Sequence, residues 1–351
     1  MVTERPDNTV AAVWRGGDDI TLESVPVPAL GSGDVLVRVR FATVCGSDRH
    51  TVSGRRSQPC PSILGHETVG EIVAIGERAY ALDGSRLRAG QRVIWSVTLP
   101  CGACDRCRRG ITAKCRAVRK AGHEALDSDW GLSGGYARHV LLPRGLPIAV
   151  VGDELSDALA APAACATATV MAVIERAGSL AGRHVVVVGA GMLGLTAVAA
   201  AAEAGAAALT VVDPSSARRE LARQFGATEV RSAASEMVAS DVLLEFSGSS
   251  AALQDGLATL EIQGVAVLAG SVAPNGTIAV DPESVVRRQL SIHGVHNYEP
   301  RHLTAALDFL QQTRDRFPWA DLVAEPKPLE DIADLLRKPA GPVPREAIVL
   351  A

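Results

Sequence analysis

A chain of 351 residues is long enough for two domains, each with its own core. Its 47% hydrophobic and 21% charged content is ordinary for a soluble enzyme, and a net charge of -4 offers no general attraction for nucleic acid or an anionic membrane. The opening MVTERPDNTVAAVW has no apolar signal-peptide core, so the expectation is a cytoplasmic protein, in which seven cysteines point to metal rather than disulfides.

Residues 10–45 alternate apolar and polar, as in DVLVRVRFATVC, with turns at Gly16-Gly17 and Gly31-Ser32-Gly33. That period predicts half-buried strands, and it continues through GHETVGEIVAIG and GQRVIWSV to about residue 98. Inside this β-rich third lies CGSDRHTVSGRRSQPCPSILGHE, from Cys45 to Glu67. Cys45 and His66 are good zinc ligands, and Ser47, Asp48, His50 and Glu67 share their neighbourhood. Two ligands leave the sphere short. A third must come from far along the chain, with the fourth position open to water or substrate.

CGACDRCRRGITAKC follows, in a lobe at about residues 98–118. Cys101, Cys104, Cys107 and Cys115 make the pattern of a closed, tetrahedral structural zinc site, whose alternatives are a stapled loop or a redox pair. Metal release is expected to disorder the lobe.

From Leu155 the chain becomes an alanine-rich helix, DELSDALAAPAACATATVMAVIERAG, and then HVVVVGAGMLGLTAVAAAAEAG. The apolar run from Val185 to Ala202 is nearly long enough to span a bilayer. Four glycines between Gly182 and Gly194 make it a buried strand, a glycine turn and a helix instead. The turn is Gly189-Ala190-Gly191-Met192-Leu193-Gly194, and its place after a β-branched strand makes the GxGxxG pattern specific for a dinucleotide. Gly189 permits the tight turn, Gly191 the approach of the pyrophosphate to helix N-terminal amides, and Gly194 the packing of helix on strand. Asp213 ends the next strand, 24 residues after Gly189. An acid there binds ribose hydroxyls and repels a 2′-phosphate, favouring NAD over NADP, although Arg218 and Arg219 pull the other way. Asp213 can also cap the following helix. DVLLEFSG, GVAVLAG and LSIHGVHNY extend the alternation expected of a doubly wound parallel sheet. After the amphipathic RHLTAALDFLQQ, the strand-like EAIVL suits the first domain. The expected division is 1–155 with 297–351, and an inserted unit at 156–296.

GHE at 65–67, the four-cysteine lobe and GAGMLG together resemble the zinc-dependent medium-chain alcohol dehydrogenases, over essentially the whole chain. The resemblance implies an α/β fold: a GroES-like β-rich catalytic domain with an inserted Rossmann domain. It implies two zincs per chain and NAD, with Cys165 the remote ligand to the catalytic zinc and Cys60 outside both sites. Asp48 resembles the acid that accepts a hydrogen bond from the zinc-bound histidine. Glu67 resembles the acid behind the metal that assists ligand exchange, itself a candidate ligand. The implied chemistry is hydride transfer between an alcohol, acidified by the metal, and nicotinamide. Ser47, the cofactor ribose and His50 would carry the proton outward. A homodimer or homotetramer through the nucleotide domain is also implied.

Arg55 and Arg56 lie between two ligand segments and offer donor pairs suited to carboxylate or phosphoryl oxygens. The wording of this loop resembles a branch associated with phosphonate metabolism, which implies a small hydroxyalkyl phosphonate or its aldehyde as substrate. The competing readings are a polyol or sugar dehydrogenase, a metal-free quinone reductase and an inactive nucleotide-binding partner protein.

Overall fold

Two sheets of opposite character organise the protein, whose computed structural model describes residues 5–339 and 341–350. One is a parallel sheet of six strands. Its spatial order runs Glu229–Arg231, Ala208–Val212, His184–Val188, Ser240–Glu245, Leu260–Leu268, Ser291–Gly294. That is the order 3-2-1-4-5-6 of a doubly wound dinucleotide fold. The central strands read as unbroken apolar runs because helices cover both faces: Val185 to Val188 and Val242 to Leu244 are all buried.

The other main sheet has seven strands around Val35–Thr43, which pairs antiparallel with Glu67–Ile75 and His139–Leu142. Here the alternation is visible: Val37, Val39 and Phe41 face the core, while Arg38 and Arg40 face solvent. The C-terminal strand Ala347–Val349 joins this sheet antiparallel to Val35–Thr43. Its register sets Ala347 opposite Thr43, and Thr43 stands opposite Glu67 on the other side. Three strand ends therefore meet just before Cys45. A smaller sheet, Asn8–Gly16 with Asp19–Pro26 and Ser62–Ile63, covers one flank.

The apolar run after Gly182 resolves into the strand His184–Val188, a glycine turn and the helix Met192–Glu203. The alanine-rich helix departs from expectation. It runs as α-helix over Asp157–Pro162, opens into a five-residue π turn over Ala163–Thr167, and resumes over Ala168–Ala177. Pro162 has no N–H to give the ladder. The Ala164 carbonyl, inside the wide turn, accepts a hydrogen bond from the Tyr298 hydroxyl. Such turns gather at functional positions, and Cys165 sits on this one. The whole stretch Asp157–Ala177 is long and apolar enough to cross a membrane, but 67% of that window is buried inside the fold. Its first part packs on the Val35–Thr43 and Glu67–Ile75 strands, and its last part on the helices Met192–Glu203 and Pro300–Thr313.

Candidate active site

Between the two sheets lies a cleft with a cavity of about 240 Å³. At its floor, one donor atom each from Cys45, His66 and Cys165 lies within 4.8 Å of the other two. Cys45 caps the short helix Gly46–Val52, His66 precedes the strand Glu67–Ile75, and Cys165 arrives on the π turn. Two sulfurs and an imidazole crowded into a largely buried space form a donor set that a thiophilic cation reconciles. Zinc fits it: three protein donors, with the cleft supplying the open side.

The charges around these donors agree. The neighbouring Cys165 thiol is the main reason the Cys45 thiol lies well below its usual range, with Arg345 and His66 assisting. Cys165 is correspondingly pushed well up, by its Cys45 neighbour and by burial. Burial opposes a charged His66, but Asp48 and Cys45 outweigh it and raise the imidazole well above its usual range. A metal binding here would release these protons.

Asp48 Oδ1 lies 3.3 Å from His66 Nδ1, within ion-pair reach but outside hydrogen-bond geometry, so Nδ1 has no hydrogen-bond partner. Asp48 is itself fixed through Oδ2, which accepts from the Cys45 N–H at 3.1 Å and the Tyr136 hydroxyl at 2.9 Å. Ser47 Oγ stands 3.3 Å from His66 Nε2. His50 lines the cleft as well. Burial first, then Arg55, holds its imidazole below the usual range.

Glu67 is placed differently from a metal ligand. Both its oxygens are taken by Arg345, at 2.7 and 2.8 Å, and one also accepts from Thr43 Oγ1 at 2.6 Å. It is absent from the converging donors because this pair and the strand register hold it behind them. Arg345 also reaches within 3.8 Å of Cys45 Sγ. Sequence reasoning missed this residue, along with Tyr136, Tyr298, Lys120, His123 and His296. The only local signal for Arg345 is a lone cation just before the apolar C-terminal strand.

Cys101, Cys104, Cys107 and Cys115 also bring their sulfurs within 4.8 Å of one another. Cys104 Sγ is 3.5 Å from Cys107 Sγ and 3.9 Å from Cys115 Sγ. Backbone N–H groups of Arg116 and Cys107 draw Cys104 down to about 6, while burial and the neighbouring thiol push Cys107 up to about 12. Four thiols with no open side fit a closed zinc site. Cys60 is exposed and belongs to neither cluster.

The glycine turn is built for a dinucleotide. Gly189 has φ +93°, and a Cβ there would stand 2.9 Å from the Ser247 nitrogen. At Gly194 a Cβ would meet the Gly189 carbonyl oxygen at 1.7 Å. At Gly191, which lines the cleft with Met192, Leu193 and Gly194, nothing lies within 4 Å. Space stands where a pyrophosphate needs it.

Asp213 is buried and does not cap the next helix. Its carboxylate accepts from the Ala190 N–H and the Ser215 N–H, both at 2.8 Å, while Ser215 is the cap. Arg218 donates to the Gly341 carbonyl, and Arg219 to the carbonyls of Asp213 and Pro214. Of the two loop arginines, Arg56 lines the cleft, whereas Arg55 is exposed outside the lining because the loop turns it to solvent.

Residues 31–151 match the alcohol dehydrogenase GroES-like domain, and residues 193–312 match the zinc-binding dehydrogenase domain. The chain is 31% identical over 303 residues to L-threonine 3-dehydrogenase of Edwardsiella ictaluri, covering 81% of this chain and 83% of that protein. It is 30% identical over 341 residues to 5-exo-hydroxycamphor dehydrogenase of Pseudomonas putida, covering 90% and 91%. An alcohol dehydrogenase of Thermotoga maritima shares the fold with a TM-score of 0.90 at 24% identity, over 98% of this chain and all of that one. Acetophenone reductase of Geotrichum candidum, solved in complex with NAD, superposes with a TM-score of 0.82 at 25% identity, over 99% and 98%.

Proposed function

From the premise that the chain belongs to the zinc-dependent alcohol dehydrogenase family, we propose that it moves hydride between NAD(H) and a small alcohol or its carbonyl counterpart. The observation that carries this is the meeting of Cys45, His66 and Cys165 on the floor of the cleft that Gly191 to Gly194 also line. Those three donors would hold the catalytic zinc, and Cys101, Cys104, Cys107 and Cys115 the structural one. When bound, zinc supplies a Lewis acid that polarises the reacting oxygen.

The protein's own groups do the rest. Cys45 and His66 are held by Asp48, which Tyr136 steadies in turn. Ser47, beside His66, is placed to take the alcohol proton. His50, three residues on along the same helix, shares its face and lines the cleft. Its depressed affinity for a proton keeps the imidazole neutral near pH 7, ready to accept. Arg345 neutralises Glu67 behind the donors, so that carboxylate is not free to compete for the cation.

Asp213 selects the cofactor. Its buried carboxylate is joined to the glycine turn through the Ala190 N–H, which supports a role at the ribose, and both arginines that would welcome a 2′-phosphate are spent on backbone carbonyls. Arg56 supports a substrate bearing an anionic group, such as a hydroxyalkyl phosphonate, over a neutral polyol. The pure protein should contain about two zincs per chain and reduce NAD with an alcohol. Metal confined to the four-cysteine lobe in fully active protein would sink the proposal. Asp213→Ser should cut the NAD over NADP preference roughly tenfold or more, the scale of one charge-assisted hydrogen bond.

A further inference from the structure

The cleft wall contributed by the four-cysteine lobe carries charge that hydride transfer leaves unused. Lys120 lies on the short strand Arg119–Lys120, which follows Cys115 and pairs with Thr98–Leu99. It lines the same cavity as Cys45 and His66, as does Arg56. Among the described residues, neither Lys120 nor Arg56 has a carboxylate within ion-pair distance. The local acids are taken: Glu124 and Asp129 by Arg119, and Glu299 by the backbone of Thr112 and Ala113.

Behind Lys120, Lys114 Nζ lies 2.7 Å from Nδ1 of His296, and His296 lines the cavity too. An ammonium has only donors, so the His296 proton resides on Nε2 and makes that nitrogen a donor. Burial, then Lys114, Lys120 and Arg56, holds His296 near 4, a neutral ring. Burial and Arg56 lower Lys120 as well. Two formal cations, Arg56 and Lys120, and the neutral donor His296 thus line one half-enclosed space, and neither cation has a carboxylate partner among the described residues. Behind the floor, the Glu67 carboxylate and the Arg345 guanidinium offset one another.

We propose that this wall is an anion subsite, in which Arg56, Lys120 and the Lys114-braced His296 bind a dianionic, tetrahedral oxyanion of the phosphoryl class carried by the substrate. Two cations match the charge of a dianion rather than that of a carboxylate, and Lys120 and Arg56 supply a point charge and a planar donor fork to its oxygens. The subsite rests on the hydride-transfer proposal for its place beside the reacting carbon. It also gives the four-cysteine lobe a second task, that of bracing His296 through Lys114 and leading into the strand that brings Lys120 to the cleft.

The test has two arms on the zinc-loaded, NAD-bound enzyme. Methylphosphonate is titrated calorimetrically into wild type and Lys120→Gln. Separately, kcat/KM for a hydroxyalkyl phosphonate is compared with that for the diol of equal length. Methylphosphonate binding should weaken about 10- to 100-fold in Lys120→Gln, the range of hydrogen bonds to charged groups. The phosphonate-to-diol ratio should fall by a similar factor, and Arg56→Gln should behave alike. Equal methylphosphonate affinity in wild type and variant, or acetate binding as tightly as methylphosphonate, overturns the subsite. If alcohols are oxidised with no preference for charge, the subsite fails and hydride transfer stands. If no alcohol is oxidised but the variant loses methylphosphonate, the subsite stands and hydride transfer fails.

Discussion

The two cysteine clusters are built on opposite plans. The four-thiol lobe draws its donors from a single stretch, Cys101 to Cys115, and steadies them chiefly with backbone N–H groups, such as Cys101 N–H on Cys115 Sγ at 3.2 Å and Cys107 N–H on Cys104 Sγ at 3.5 Å. The cleft site draws Cys45, His66 and Cys165 from three distant elements and steadies them with buried charge: Asp48, Glu67 and Arg345. A closed site can be made by local chain geometry alone. A site that must leave one side open needs the tertiary fold to hold donors apart from what they act on.

The sharpest way to break this contrast is to remove one donor from each. Cys45→Ala should reduce turnover to background and the metal content from about two to about one per chain, with the fold retained. Cys104→Ala should instead show its first effect in folding, as loss of near-ultraviolet dichroism and of soluble yield, because a closed zinc site carries local folding energy. A Cys45→Ala protein with full turnover would erase the distinction.

The next effect concerns the buried pair. Arg345→Met leaves Glu67 fully buried beside Cys45 with no cation, and should cost about 3–5 kcal/mol in chemical denaturation. Glu67→Gln in the same protein should restore part of the loss, since the uncompensated charge is then gone. No surface pair in the four-cysteine lobe should approach this: removing Arg116 from its exposed pair with Asp105 should leave the denaturation midpoint essentially unchanged.

The smallest effect is kinetic. His50→Ala should slow turnover by about a hundredfold without abolishing it, with zinc content unchanged. Because burial lowers the His50 imidazole, the neutral, accepting form persists to a pH below the ordinary value of about 6.5. Wild-type turnover should then fall as pH drops through that lowered value, and the His50→Ala profile should lack that limb. The same limb in both proteins would remove His50 from the relay.

Legibility followed the same division. The four-cysteine lobe and the glycine turn could be read directly, because their spacing along the chain is their spacing in space. The nearness of Asp48 to Cys45, one helical turn away, was legible for the same reason, whereas its role toward His66 was implied by resemblance. Cys165 was reached through resemblance alone, since a lone cysteine among alanines gives no local sign and the π turn that carries it leaves no pattern in the sequence. Arg345 stands 278 residues from Glu67 and meets it only because the C-terminal strand pairs with Val35–Thr43. Arg55 and Arg56 are neighbours in an irregular loop, where no period says which one turns inward. The helix cap went to Ser215 rather than Asp213 because the Asp213 carboxylate is already engaged by the Ala190 N–H.

Cys165 rides on a rod whose two ends are bolted to different sheets. The one wide coil in that rod is the coil bearing the sulfur, so the position of Cys165 answers to the packing of both sheets at once.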